Sequence, residues 1–402
     1  MTISKKAINP FGMAVAIPKK SSDLLVGKVI VQILPALNHG GVERGTAEMA
    51  EAIVRAGGKA VVISNGGHME NRLRRSGVEH ITLPVHSKNP LKWMFIRRKV
   101  KAALVAVDAD IVHIRSRAPA WIAMSAARSL GLNVVTTVHG RFKASSLFKK
   151  LYNSIMVKSD RIIAISSYIE SLITSQFPDV EDKIKIIHRG VDIDQFNPMA
   201  VPPQRVINMS EKLMIPDGVP VVMLPSRPTS WKGMSVLIEA MSLLQDLPFL
   251  LVLVGAGDGA DETQKNLIRQ IEKAGLTSKA RLNKSIDDMP AAMMIADVVA
   301  MPSVTPEPFG RVVVEGSAMG CPVVAFRHGG AIETIVDGET GWLADPIDPV
   351  SLSEAIRKAL MLNQQSRQKL SKKARAHIEA NFSSDKMCAS TIEVYMDLLS
   401  EK

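Results

Sequence analysis

The sequence predicts an α/β protein of two doubly wound domains that face each other across a cleft. Three observations carry the prediction. Short apolar, β-branched runs alternate with amphipathic helical stretches along the chain, the pattern of parallel sheets covered by helices. The 402 residues exceed what one ordinary core holds, so two domains of similar size are expected. A proline-rich stretch, NPMAVPPQR (197–205), reads as a linker near the middle, and the strand–helix pattern restarts beyond it.

In chain order, residues 1–27 read as an appended, partly ordered segment. Lys5, Lys6, Lys19 and Lys20 flank an apolar stretch that Pro10 and Pro18 interrupt, whereas a signal peptide has an unbroken apolar centre. Residues 28–200 form the first expected domain, with strands in KVIVQIL, KAVVIS, ADIVHIR, NVVTTVH, DRIIAIS and IKIIH. Between the first two lies a helix that Gly40 and Gly41 open and Gly57 and Gly58 close. Residues 201–380 form the second, with strands in VPVVMLPSR, FLLVLVGAG, ADVVAMPS and CPVVAF. A helical tail over roughly 350–400 is interrupted near Asn381–Ser384, and 381–402 is expected to pack back toward the first domain.

Composition narrows the class. Hydrophobic residues make up 46% and charged residues 22%, which fits a globular chain and not a disordered one. Two cysteines, Cys321 and Cys388, give neither a disulfide scaffold nor metal-ligand spacing, and fit a reducing cytoplasm. No run approaches the roughly 20 apolar residues of a membrane span. Residues 1–200 hold 29 Lys/Arg against 15 Asp/Glu, a surplus of 14, while 201–402 hold 21 against 24. An acidic partner is therefore expected for the first half alone.

Three stretches of the second half follow strands, where ligands of doubly wound sheets sit. PSRPTSWKG presents Arg227 and Lys232 from one loop; a guanidinium grips two oxygens and an ammonium acts as a point charge, a combination suited to a diphosphate. The same pair could equally be solvated loop cations. VGAGDG supplies Gly255, Gly257 and Gly259 before a helix, without a full dinucleotide fingerprint. PEPFGRVVVEGSAMG sets Glu307 before a Phe309–Gly310 turn and Glu315 inside the following helix. The free N–H groups of that helix start can receive an anion. Glu315 among valines is costly unless it is hydrogen-bonded, so a salt bridge or a ligand must hold it.

On these residues the chain resembles family 4 of the retaining glycosyltransferases with the GT-B fold. Arg–x4–Lys-Gly, V-G-x-G and E-P-F-G-x4-E appear in order, followed by AMGCPVVAFRHGGAIETIVDGETGWL, and the resemblance spans about residues 28–398. It implies two Rossmann-like domains, the second holding a UDP- or GDP-linked sugar as substrate, with no cofactor and no metal. By position, Arg227 and Lys232 would bind the diphosphate, Glu315 the ribose, Glu307 the sugar hydroxyls, and the Phe309–Gly310 backbone sugar or phosphate. Gly255 and Gly257 belong to the same donor site, and Gly40 and Gly41 would lie against the pyrophosphate. His139 of TVHG would stand near the reacting sugar; with Glu307, Arg227 and Lys232 it completes the expected catalytic set. The family has Gly and Leu where this chain has Ser226 and Pro228, which bears on loop shape and donor preference.

The basic half carries the acceptor expectations. Residues 89–107 and 140–161 mix aromatic and aliphatic side chains with Lys/Arg clusters, which suits either an anionic membrane surface or a core helix with a solvated basic face. Arg115, Arg117 and Arg141 are expected on the acceptor side, where they could meet acceptor phosphates. VHIRSRAPAW, TTVHGRF and RGVDIDQFNP are similar to bacterial transferases of lipopolysaccharide core or other surface glycans, implying a glycan or glycolipid acceptor and a cytoplasmic or peripheral inner-membrane location. The clusters lack a nucleic-acid fold signature, so no nucleic-acid partner is expected. His113 and His188 read as packing residues, and Asp108-Ala109-Asp110 as a helix-end turn. The competing readings are a sugar-nucleotide epimerase, a phosphorylase, or a noncatalytic protein that binds anionic ligands.

Overall fold

The computed structural model describes residues 23–38, 40–140, 146–257 and 262–401. Strands β1 (Val29–Ile33), β2 (Lys59–Ser64), β3 (Glu79–Thr82), β4 (Ile111–Ile114), β5 (Asn133–Val138), β6 (Arg161–Ala164) and β7 (Ile184–Ile186) form a sheet in the order β3-β2-β1-β4-β5-β6-β7. A second sheet, ordered β10-β9-β8-β11-β12-β13, contains β8 (Val221–Pro225), β9 (Leu250–Val254), β10 (Ala280–Asn283), β11 (Val298–Met301), β12 (Val323–Phe326) and β13 (Trp342–Ala344). Their ladders are parallel, and helices connect successive strands. Both sheets reverse strand order after their first three strands, between β1 and β4 and between β8 and β11. The crevice beyond the carboxyl ends at such a reversal is where doubly wound sheets bind ligands.

The apolar runs form these strands because both faces are covered. Ile30, Val31, Ile33, Val222, Leu224, Leu251 and Leu253 are fully buried, as parallel sheets require. Glycine closes the first helix as expected: Gly41–Arg55 ends at Ala56, and Gly57 follows at φ 79°. Residues 1–22 of the expected N-terminal segment lie outside the described residues, but its end joins the fold. Leu25 is fully buried, and its N–H donates to the Ala56 carbonyl at 2.9 Å.

The proline-rich stretch runs between the last strand of the first sheet and the first strand of the second, and its end starts a helix. Pro203 opens the helix Pro203–Leu213, where its missing N–H costs nothing. The tail comprises helices Pro349–Leu360, Gln364–Asn381 and Ser384–Ser400, with the second break at Phe382–Ser383. There the chain crosses back: Val191 N–H donates to the Phe382 carbonyl at 2.8 Å, and Ser384 N–H to the Val191 carbonyl at 2.9 Å. Gly190 is needed at this crossing, because a Cβ would lie 2.3 Å from Ser384 Cα. Ser384–Ser400 then packs on Gly41–Arg55 and buries Tyr395, whose hydroxyl meets His113 Nδ1 at 2.6 Å.

Candidate active site

The second sheet delivers its polar loops together. Lys232, in a short 3-10 turn after β8, places Nζ 2.6 Å from Oε1 of Glu307, in the loop after β11. The Ser303 hydroxyl donates to the same oxygen at 2.5 Å. The Lys232 ammonium also lies 4.3 Å from the Trp231 ring centroid. This approach of the two loops depends on Gly233 at φ 75°, since any Cβ there would fall 1.7 Å from the Pro302 carbonyl oxygen. Arg227 is exposed, and no ion pair holds it among the described residues. Gly310 at φ 92° starts the helix Arg311–Ala318, while the Phe309 ring is buried, 6.0 Å from the Phe382 ring.

Glu315 faces the first half of the chain. Arg311, one turn earlier, donates to its Oε1 at 2.5 Å, and Arg44 from the helix Gly41–Arg55 lies 3.6 Å from the same oxygen. The buried carboxylate is thus held by arginines from both halves, the salt-bridge alternative left open by the sequence. A ligand hydroxyl would have to share it with them. Glu48, one turn beyond Arg44, is also buried, and burial raises its pKa despite nearby Arg311, Arg189 and Arg44.

Gly255 and Gly257 hold the site differently from expectation. Both N–H groups donate to the Asn283 carbonyl at 2.9 Å, so neither is offered to a phosphate. Gly255, at φ 90°, lets this turn press on the Arg227 loop, because a Cβ would lie 2.7 Å from the Ser226 carbonyl oxygen. Gly259 lies outside the described residues.

From the first sheet, Gly40 caps Gly41–Arg55 after β1, and the Gly41 carbonyl accepts from the Arg189 guanidinium. A Cβ on Gly41 would lie 2.7 Å from Arg189 Nη1. Arg189 is half-buried; desolvation, followed by Arg311, pushes its pKa down to about 9. His139 stands at the end of β5, and neither ring nitrogen has a partner among the described residues. Burial, then Arg189 and Arg115, hold its pKa well below the usual histidine range, so the ring is neutral at pH 7.

A cavity of about 650 Å³ lies in front of His139, with Arg115, Arg117, Gly140 and Tyr152 on its walls. Arg115 is turned inward more than an acceptor contact needs: its Nε donates to Gln32 Oε1 at 2.8 Å, and it is only 6% exposed. Arg141 lies outside the described residues. His113 is the packing residue expected, bonded to Tyr395 and to Thr137 Oγ1 at 2.6 Å. His188 is not. Its Nε2 meets Glu333 of the second half at 2.7 Å, and the Glu333 carboxylate also accepts from the Ser167 and Tyr168 N–H groups at 2.9 and 3.2 Å. Burial raises the Glu333 pKa, but these bonds outweigh it and the net shift is downward. The Ser166 hydroxyl donates to the Pro308 carbonyl at 2.6 Å, tying the first half to the Glu307 loop. Asp110 serves the fold, accepting from Val29 N–H at 2.8 Å.

Sequence reading therefore missed Arg44, Arg189, Arg311, Ser303 and Glu333. Arg44 follows the glycine pair by one turn and Arg311 precedes Glu315 by four residues, so spacing could have found both. Arg189 meets Gly41 148 positions away within the first domain, and Glu333 meets His188 145 positions away across the two halves, so spacing reveals neither. The assembled site is a crevice where buried or half-buried arginines and Lys232 outnumber their carboxylates, opposite a neutral histidine. It can hold a polyanion and stabilise a departing phosphate.

Comparison with known proteins agrees with this geometry. Residues 39–195 match the model of Glycosyltransferase Family 4, and residues 206–377 that of Glycosyl transferases group 1. A glycosyltransferase from Rickettsia africae ESF-5 is 34% identical in its crystal structure, covering 93% of this chain and 99% of that one with a TM-score of 0.87. Anabaena Alr3699/HepE, crystallised in complex with UDP and glucose, is 23% identical over 91% of this chain and 98% of its own, with a TM-score of 0.79. The GDP-mannose-dependent alpha-(1-6)-phosphatidylinositol monomannoside mannosyltransferase of Mycolicibacterium smegmatis is 30% identical, covering 65% of this chain and 70% of the relative. The two parallel sheets, the loops that meet between them and these matches together make the chain a member of glycosyltransferase family 4 with the GT-B fold.

Proposed function

We propose that this glycosyltransferase moves a hexose-type sugar from a UDP- or GDP-linked donor to a glycan or glycolipid acceptor, retaining anomeric configuration and needing neither cofactor nor metal. The reaction belongs to bacterial surface-glycan synthesis such as the lipopolysaccharide core, at the cytoplasmic face of the inner membrane. The observation that carries the reading is the Lys232–Glu307–Ser303 cluster beside Arg227, at the strand-order reversal of the second sheet. Arg227 and Lys232 take the diphosphate, and the start of Arg311–Ala318 adds its free N–H groups to the departing charge. Glu307, released from Lys232 as the diphosphate binds, accepts a sugar hydroxyl. Glu315 accepts from the ribose within the Arg44–Arg311 bracket. His139, neutral and without a partner, donates one hydrogen bond at the reacting sugar, and the cavity before it receives the acceptor. The donor phosphate helps take the acceptor proton, so no protein base is required. The UDP and glucose of the Anabaena neighbour and the GDP-mannose dependence of the mycolicibacterial relative support a nucleotide-sugar donor with either base.

The experiment is thermal stability of the protein against UDP, GDP, ADP and their sugar conjugates, with and without magnesium. One nucleotide should raise the midpoint without metal, and Lys232→Ala should abolish the shift. A shift that requires magnesium would refute the metal-free reading, and no shift with any nucleotide would refute the donor site.

A further inference from the structure

Two helices of the first half carry large apolar side chains on the side turned from the core. In Pro90–Ala106 the buried stripe is Ile96, Val100 and Leu104. Leu91, Met94 and Phe95, spaced i, i+3 and i+4, form a second stripe that is 89, 66 and 62% exposed. A surface helix ordinarily shows polar residues there. On Leu147–Ser154, Leu147 and Phe148 are each 85% exposed and Leu151 is 58%. Exposed Lys92, Arg97, Arg98 and Lys99 surround the first stripe and Lys149 and Lys150 the second, and neither helix contains an acidic residue. A column of rings joins the two: Trp93 stacks on Trp121 at 5.7 Å, and Trp121 on Tyr152 at 6.5 Å. Lys88, just ahead of one helix, and Tyr152, on the other, both line the cavity before His139.

We infer that these two helices form a docking surface for an anionic lipid bilayer. Single exposed leucines need no explanation; six large apolar side chains among cations, without one carboxylate, have the composition of helices that lie in a membrane interface. The charge pattern selects the occupant. A second copy would bring cations onto cations, whereas an anionic surface pairs with all of them. The inference deepens the glycolipid reading, since a bilayer held here presents its headgroups at the cavity mouth.

The test is cosedimentation with vesicles of 30% phosphatidylglycerol in phosphatidylcholine and with pure phosphatidylcholine, without donor or acceptor. Its failure would therefore leave the transferase reading standing, and a failed nucleotide test would leave this one. Binding to the anionic vesicles should exceed binding to the neutral ones by about tenfold or more and weaken in high salt. Leu147→Ser with Phe148→Ser, Leu91→Ser with Phe95→Ser, and Lys149→Glu with Lys150→Glu should each weaken it about tenfold. All three should keep the parent's cooperative thermal unfolding, showing that they fold. Absent binding, equal binding to both compositions, or binding indifferent to all three variants would overturn the proposal. So would a concentration-dependent dimer dissolved by Leu147→Ser with Phe148→Ser, which would assign the surface to a second copy.

Discussion

Lys232→Ala separates what the lysine does for the fold from what it does for the ligand. The ammonium is 2.6 Å from Glu307 Oε1, and the two side chains are only 17 and 9% exposed. Removing one partner of a buried pair costs about 3–5 kcal/mol because the other charge is left uncompensated. Here Ser303 still donates to the same oxygen at 2.5 Å, and a hydrogen bond to a charged group recovers part of the loss, leaving about 2–3 kcal/mol. Glu307→Gln strands the ammonium closer to solvent and should cost about 1–2 kcal/mol. The double variant, Lys232→Ala with Glu307→Gln, buries no unpaired charge and should cost about 1 kcal/mol, so the cycle should show a coupling of about 2–4 kcal/mol. Urea unfolding at pH 7.5 reads these values. Calorimetric titration of the stabilising nucleotide diphosphate reads the second role, where losing one charge-assisted bond to the diphosphate should weaken binding about 10- to 100-fold. The double variant should recover stability but not affinity. If affinity returned as well, Lys232 would act only by neutralising Glu307, and the assignment of a diphosphate contact would be wrong.

Three other outcomes are expected. His139→Phe should abolish transfer while changing urea stability by less than about 1 kcal/mol, because no hydrogen bond of the ring is lost; a large loss of stability would make the histidine a packing residue. Gly233→Ala should leave little soluble protein, since its Cβ would fall 1.7 Å from the Pro302 carbonyl oxygen at a φ of 75°; a normal yield would refute the loop approach. Glu333, with a folded pKa below the ordinary value of about 4.3, contributes stability that is full above that value and lost as pH falls through the folded pKa. Glu333→Gln should therefore destabilise at pH 7, and its difference from the parent should close below about pH 4; a constant difference would show that the carboxylate charge is not what joins the halves.

How much of this was legible depends on how locally each feature is determined. KAVVIS coincides with β2, and CPVVAF contains all of β12, because strands buried on both faces must be continuous apolar runs. β3, β10 and β13 escaped notice. All three are sheet edges; EHIT and ARLN are half polar, and their pairing comes from the register of β2 and β9. Glu307 and Lys232 were found from spacing, yet their direct contact depends on how closely the loops after β8 and β11 approach. The linker expectation places residues 197–205 between the two sheets, where they lie; the sequence did not show that Pro203 also starts a helix, since proline that breaks one element equally starts the next. Residues 89–107 held two alternatives, and the core-helix reading holds only in part: Ile96 is buried in the core, while Phe95 points outward.

The bond between Tyr395 and His113 spans 282 positions of the chain. During vectorial synthesis the helix Ser384–Ser400 leaves the ribosome after both sheets have emerged. The domain made first therefore acquires this layer only after the second sheet is complete, with Asn133 Nδ2 reaching the Leu398 carbonyl at 2.7 Å and Tyr395 filling its seat. The domain made second, whose strands all lie within residues 221–344, can complete its sheet earlier. Order of birth and order of maturation are thus opposite, and a nascent chain stalled before residue 384 would expose to chaperones the apolar floor on which that helix rests.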